Sequence, residues 1–195
     1  MTVGHAKQDD GRHEYTVIMT ARATPDIWQD VAQLEHIHQL TLTVQDLDDT
    51  TLKSMMRVRF APKTRLELSG NGQCSVTDWT WLRELGKAME LDMYLRRLPL
   101  PPEAVTEIAG LPGLTSLGIA ECDISDAAIP SLLSAKKLTS LHLTDNSKIS
   151  DDGLMQLAAL ETLTYVNVEF TSVTPAGVSR FKQKRPDCDI RVSWE

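Results

Sequence analysis

The sequence predicts an α/β solenoid, a row of strand–turn–helix units stacked side by side. Three observations predict it. Short apolar-x-apolar pairs recur every 23 to 26 residues, a helix-start signal follows all but the last at a nearly fixed distance, and apolar residues then fall at helical spacing.

The strand signals begin at Val17, Leu40, Leu66, Leu91, Leu117, Leu141, Val166 and Ile190, each with a second apolar residue two places on. Alternation of this kind suits a strand with one buried face. The helix-start signals are Thr24-Pro25, Asp48-Asp49, Thr77-Asp78, Pro101-Pro102, Ser125-Asp126, Ser150-Asp151 and Thr174-Pro175. In all but Pro101-Pro102 the first residue carries a side-chain oxygen that can accept from a free helix amide. The second is Pro, which lacks only an amide that would be unpaired there, or Asp, which faces the positive end of the helix dipole. Four residues past each cap stand Trp28, Leu52, Trp81, Val105, Ile129, Leu154 and Val178. Seven past stand Val31, Met55, Glu84, Ile108, Leu132, Leu157 and Phe181. These places share one helix face, with Leu82 or Leu85 expected to stand in for Glu84. Such a unit is too small to bury its apolar side alone, so stacking must stabilise it.

Length and composition agree. The chain has 195 residues, 42% of them apolar, and a formal charge of −7. That is ample for a core and leaves no basic footprint for nucleic acid or an anionic membrane. No apolar run is long enough to span a bilayer. Residues 1–14 are polar and lack the hydrophobic segment of a secretory signal, so a cytoplasmic location is expected. They are read as a mobile tail, or less readily a short helix, ahead of a single domain at 15–195 with about seven repeats and a closing strand. Cys74, Cys122 and Cys188 are odd in number and far apart, which fits free thiols.

The segment Leu114-x-x-Leu117-x-Ile119-x-x-Cys122-x-Ile124 resembles the leucine-rich-repeat consensus, in which Asn or Cys commonly holds the cysteine place. Gln45, Asn146 and Thr171 hold it in other repeats, and Arg22 and Arg96 where the match is looser. The Ile-Ser-Asp and Asp-Gly-Leu elements resemble the cysteine-containing and ribonuclease-inhibitor-like subclasses. The stretch from Val173 to Cys188 is similar to closing repeats of bacterial members. The resemblance implies a leucine-rich-repeat solenoid, a right-handed β-α superhelix with a parallel inner sheet and outer helices. It also implies a protein-interaction scaffold that needs no cofactor.

Strand alternation then places a central inner column at Ile18, Thr41, Glu67, Asp92, Gly118, His142, Asn167 and Arg191. A second column holds Tyr94, Ala120 and Glu169, among others. Glu67, Glu90, Asp92 and Glu169 make this face acidic, and Gly118 and Ala120 leave a low spot flanked by Tyr94, His142 and Tyr165. It reads either as an ordinary solvated sheet face or as a groove for a basic or mixed protein surface, with tyrosines as anchors. The binding candidates are Glu67, Glu90, Asp92, Tyr94, His142, Tyr165, Asn167 and Glu169. Trp79, two places past its cap, is expected to be more exposed than Trp81. It either packs on the insertion Gly70 to Ser75 or forms a contact patch.

No catalytic set of nucleophile, base and orienting group emerges, and His36 and His38 lack companions at metal-ligand spacing. The run Lys182 to Arg185 reads as a solvated helix end. At the C-terminus, Trp194 either covers the last core layer or leaves a strand free to pair with another subunit. The expected state is a monomer. The leading functional expectation is a non-enzymatic scaffold binding through the inner face. The alternatives are an inhibitor or immunity-type protein blocking a basic enzyme, and an assembly unit using the terminal edge strand.

Overall fold

The computed structural model describes residues 2–7, 13–19, 30–31, 33–34, 37–43, 48–55, 58–80, 82–85 and 90–193. Among the described residues, nine strands lie side by side in chain order. They are β1 (Thr2–Lys7), β2 (His13–Met19), β3 (Ile37–Thr43), β4 (Phe60–Ser69), β5 (Glu90–Arg96), β6 (Leu114–Ala120), β7 (Ser140–His142), β8 (Tyr165–Asn167) and β9 (Asp189–Arg191). From β2 onward every neighbouring pair is parallel. Helices between strands are α1 (Asp49–Met55), α2 (Leu82–Leu85), α3 (Pro102–Ala109), α4 (Ile129–Leu132), α5 (Asp151–Leu157) and α6 (Pro175–Lys184), with a 3₁₀ turn at Asp126–Ala128.

One row of apolar residues runs across the sheet in register: Val17, Leu40, Leu66, Met93, Leu117, Leu141, Val166 and Ile190. All but the last, which is half-buried at the open end, are buried. The helices supply the facing layer, and Leu52, Met55, Val105, Ile108, Ile129, Leu132, Leu154, Leu157 and Phe181 have no exposed surface. Leu82, 1% exposed, fills the place where the sequence has Glu84. The core is thus one continuous layer between sheet and helices.

Polar side chains tie each repeat to the one before it. Ser150 and Thr174 cap their helices, accepting from the Asp152 and Gly177 amides at 3.2 Å, and Asp48 accepts from Thr51 at 2.7 Å. The aspartate after a cap reaches forward to the next repeat. Asp126 accepts from the Ser150 amide at 2.8 Å and from its hydroxyl. Asp151 takes the Thr174 amide and hydroxyl, each at 2.8 Å. These carboxylates lie over Gly153 and Gly177, where any Cβ would overlap them. Asn146, 1% exposed, reaches backward. Its Oδ1 accepts from the Cys122 and Ile124 amides, and its Nδ2 donates to Ile119, Leu143 and Thr144 carbonyls. Buried backbone groups are thereby satisfied across the repeat boundary.

Several expectations are corrected. Residues 2–7 are not a mobile tail but strand β1, antiparallel to β2 with Val3 opposite Val17, so the sheet starts ahead of residue 15. A bare edge exposes unpaired amides and carbonyls, and β1 covers that of β2. In the fourth repeat the register is shifted by two: Met93 and Leu95, not Leu91 and Met93, pair with Leu117 and Ile119. The turns after β5, β6, β7 and β8 each contain a left-handed residue, namely Arg97, Glu121, Asp145 and Phe170 with φ of 52–59°. The residue after it holds the asparagine place, so that place belongs to Leu98 rather than Arg96.

The third helix signal also fails. Asp49 engages the Thr77 amide and hydroxyl and the Asp78 amide at 2.6–3.1 Å. The place held elsewhere by Gly153 and Gly177 is here Thr80, whose Cβ has no room beneath such a carboxylate. The helix starts later, at Leu82. Trp79, expected to be more exposed than Trp81 and read either as packing on the insertion or as a contact patch, is 5% exposed and part of the core, which rules out the patch. Arg185, expected at a solvated helix end, is 7% exposed. Its guanidinium donates to the Leu160 carbonyl at 2.7 Å and the Leu163 carbonyl at 2.5 Å and pairs with Asp187. The signal at Thr24-Pro25, residues Arg22, Trp28, His36, Gln45, Trp81 and Trp194, and the side chain of Leu85 lie outside the described residues.

Leu154 joins α5 to the shared core, and truncating it leaves a cavity that the stacked layers cannot close. Leu154→Ala should cost about 2–5 kcal/mol, read as a lower denaturant midpoint with an unchanged slope. An unchanged midpoint would contradict the shared core.

Candidate functional site

The parallel register turns the inner face into straight columns of side chains. The column beside the apolar row is Ile18, Thr41, Glu67, Tyr94, Gly118, His142, Asn167 and Arg191. Tyr94 therefore sits where Asp92 was expected. Asp92 moves to the preceding column, between Arg65 and Ser116.

This shift builds an aromatic cluster. The Tyr94 ring lies over Gly118, where an added Cβ would overlap ring carbons. The expected low spot at Gly118 is thus filled by Tyr94 itself. Because β6 offers no side chain there, Tyr94 of β5 reaches across it to His142 of β7, with ring centroids 5.6 Å apart and tilted by 56°. Tyr165 of β8 meets His142 from the other side at 5.2 Å and 49°. Tilted pairs at these distances put positive ring edges against negative faces. His142 Nε2 also lies 3.3 Å from Ser140 Oγ. A hollow of about 320 Å³ opens beside the cluster, lined by Arg65, Asp92, Met93, Tyr94, Ser116 and His142.

The acidic candidates do not form a bare negative surface. Glu67 binds Arg65 at 2.6 Å and accepts from Thr41 at 3.3 Å. Glu90 pairs with Lys63 at 2.7 Å. Glu169 takes the Asn167 side-chain amide at 3.0 Å and Arg191 at 3.0 Å. The Asn167 hydrogen bond holds the Glu169 pKa below the ordinary carboxylate value; burial opposes this and Arg191 assists. Asn167 is itself buried, 6% exposed, and its Oδ1 accepts from the Glu169 amide at 2.8 Å. It orients Glu169 rather than facing solvent. Asp92 accepts from Thr115 at 3.2 Å. Of the four acids, only Asp92 has no basic partner within 4 Å among the described residues.

So Asp92, Tyr94, His142 and Tyr165 come together, while Glu67 and Glu90 flank them and Asn167 and Glu169 form a separate polar pair. Trp79 belongs to the core. Arg65 and Ser116, which line the hollow, were missed because the column ahead of the apolar row was not read; the same alternation would have supplied it. His38, on β3, is half-buried. Among the described residues no group of His, Cys, Asp and Glu could hold a metal ion, and no helix is long and apolar enough to cross a membrane.

A leucine-rich-repeat family model matches residues 134–158, which contain β7, the buried Asn146 and α5. The fold is a leucine-rich-repeat solenoid. Among solved structures, an internalin (InlF) from Listeria monocytogenes is similar at 18% identity and a TM-score of 0.55, covering 85% of this chain and 50% of that one. The plant peptide hormone receptor RGFR1, solved in complex with RGF2, matches at 16% identity and a TM-score of 0.48, covering 97% of this chain and 28% of the receptor. The solenoid thus spans half or less of these structures' lengths. No curated protein matches.

Burial depresses the His142 pKa below the ordinary histidine value of 6.5, and the positive Arg191 adds to the effect. A depressed folded-state value means that protonation opposes folding. The contribution of the neutral ring is complete above the unfolded value near 6.5 and is lost as pH falls through the folded one. Titration of the His142 ring protons by NMR should give a midpoint below 6.5, rising in Tyr94→Ala as the ring gains solvent. An identical midpoint in that variant would show that Tyr94 does not cover the imidazole.

Proposed function

We propose that this solenoid is a non-enzymatic scaffold that binds another protein through its inner sheet face, with Tyr94, His142 and Tyr165 as the anchor. The single observation supporting it most is that cluster. Three rings from three strands meet on a surface of otherwise short or ion-paired side chains, and rigid aromatic groups are the usual source of binding energy at protein contacts. Neighbouring strands fix their spacing, so little side-chain freedom is lost on binding.

The finer parts of this reading rest on narrower support. Cys122, in the asparagine place with its thiol 3.2 Å from the Ala120 carbonyl, supports the cysteine-containing or ribonuclease-inhibitor-like subclass. Three free thiols, two of them buried, support a reducing, cytoplasmic location. Burial pushes the Cys122 pKa up to about 12, which suits a packing role rather than a reactive one. We take the whole chain, β1 included, as one domain that acts as a monomer. An inhibitor of a basic enzyme is the second reading, favoured by the carboxylate of Asp92, which lacks a basic partner within 4 Å among the described residues.

The test is affinity capture from native lysate with the Tyr94→Ala, His142→Ala, Tyr165→Ala triple variant. None of the three is in the apolar core, so the circular dichroism spectrum should stay that of the parent while capture of the parent's partners is lost. Full capture by the folded variant would move the binding surface elsewhere.

A further inference from the structure

We infer that the hollow beside Tyr94 is a receptor for one arginine side chain of the protein partner, with Asp92 as its counter-ion. The inference rests on the inner-face reading above and adds the chemistry that the face selects.

The carboxylates of β4 and β5 are not equally matched. Glu67 is matched by Arg65 at 2.6 Å and Glu90 by Lys63 at 2.7 Å. Asp92, on the wall of the hollow, has no basic partner within 4 Å among the described residues. Its Oδ1 accepts from Thr115, and its Oδ2 accepts from no described residue. Arg65 lines the same hollow, but its Nε is engaged by Glu67, so its charge is already compensated. An anionic ligand would meet the Asp92 carboxylate with like charge, whereas a cation can pair with it.

The shape of the surroundings selects the cation. Tyr94 and His142 line the same hollow as Asp92, and a flat guanidinium can lie along a ring face while pairing edge-on with a carboxylate. The Ser116 hydroxyl, on the strand next to Asp92, offers one further acceptor. An ammonium has no plane to stack and no fork to match a carboxylate in two places. Gly118 makes the arrangement possible, since any side chain there would displace Tyr94 from the wall.

The test uses the full chain and small probes followed through the Tyr94 and His142 ring protons by NMR. N-acetyl-arginine amide should shift both rings saturably and bind at least about tenfold more tightly than its uncharged citrulline counterpart or N-acetyl-lysine amide. Asp92→Asn, which keeps an oxygen for Thr115, should abolish that preference without altering the fold. Absent ring shifts, equal binding of the citrulline or lysine probe, or an undiminished preference in Asp92→Asn would each overturn the arginine receptor. Such a failure, combined with lost capture by the aromatic triple variant, would sink the receptor and leave the inner-face reading standing. Full capture by that variant would sink both.

Discussion

The repeats of this chain complete one another's hydrogen bonds, and everything else in the structure depends on that. Turning the chain from strand to helix within a few residues buries backbone amides that the turn itself cannot satisfy. An unpaired buried donor costs about 1–3 kcal/mol, so the turn survives only where a neighbour answers it. Asn146 supplies the amides of Cys122 and Ile124 and binds carbonyls on both sides of the boundary. Asp126 and Asp151 do the same at helix starts, and Arg185 answers the Leu160 and Leu163 carbonyls from one repeat further on. Apart from the Asn146 bond to the Leu143 carbonyl within its own repeat, these bonds span 22 to 27 residues. A repeat is stable because of its place in the row.

That constraint also builds the inner face. Bonds between neighbouring repeats hold the register, and a fixed register converts period-two alternation into columns. Columns bring Tyr94, Gly118 and His142 into one line across three strands. Glycine in the middle then lets two rings from non-adjacent strands meet. The candidate site is thus a product of the stack, with residues widely separated in sequence and no loop contributing a ring.

Much of this was legible in the amino-acid order, for identifiable reasons. Helix caps are local chemistry, so Asp48, Ser150 and Thr174 could be read directly, as could Leu154 and Leu157 from their spacing. The fourth repeat misled because Leu91, Met93 and Leu95 alternate without a break and are all buried. A pattern of period two cannot distinguish a slip of two residues; only pairing with Leu117 and Ile119 decides it. That slip displaced Asp92 and Tyr94 by one column and hid the hollow between them. The first strand was missed because Thr2–Lys7 is polar and gains order from a partner, although Asp10-Gly11 between the strands is a hairpin signal. Arg185 was misplaced for a related reason, since the carbonyls that hold it come from the neighbouring repeat.

The most direct test is native-state hydrogen exchange on Asn146→Ala. If the repeats are completed by their neighbours, the amides of Cys122 and Ile124, in the repeat before the substitution, should lose protection by roughly tenfold or more, as expected for a penalty of about 1.4 kcal/mol or above. Faster exchange confined to residues 140–158, with Cys122 and Ile124 as protected as in the parent, would contradict the account.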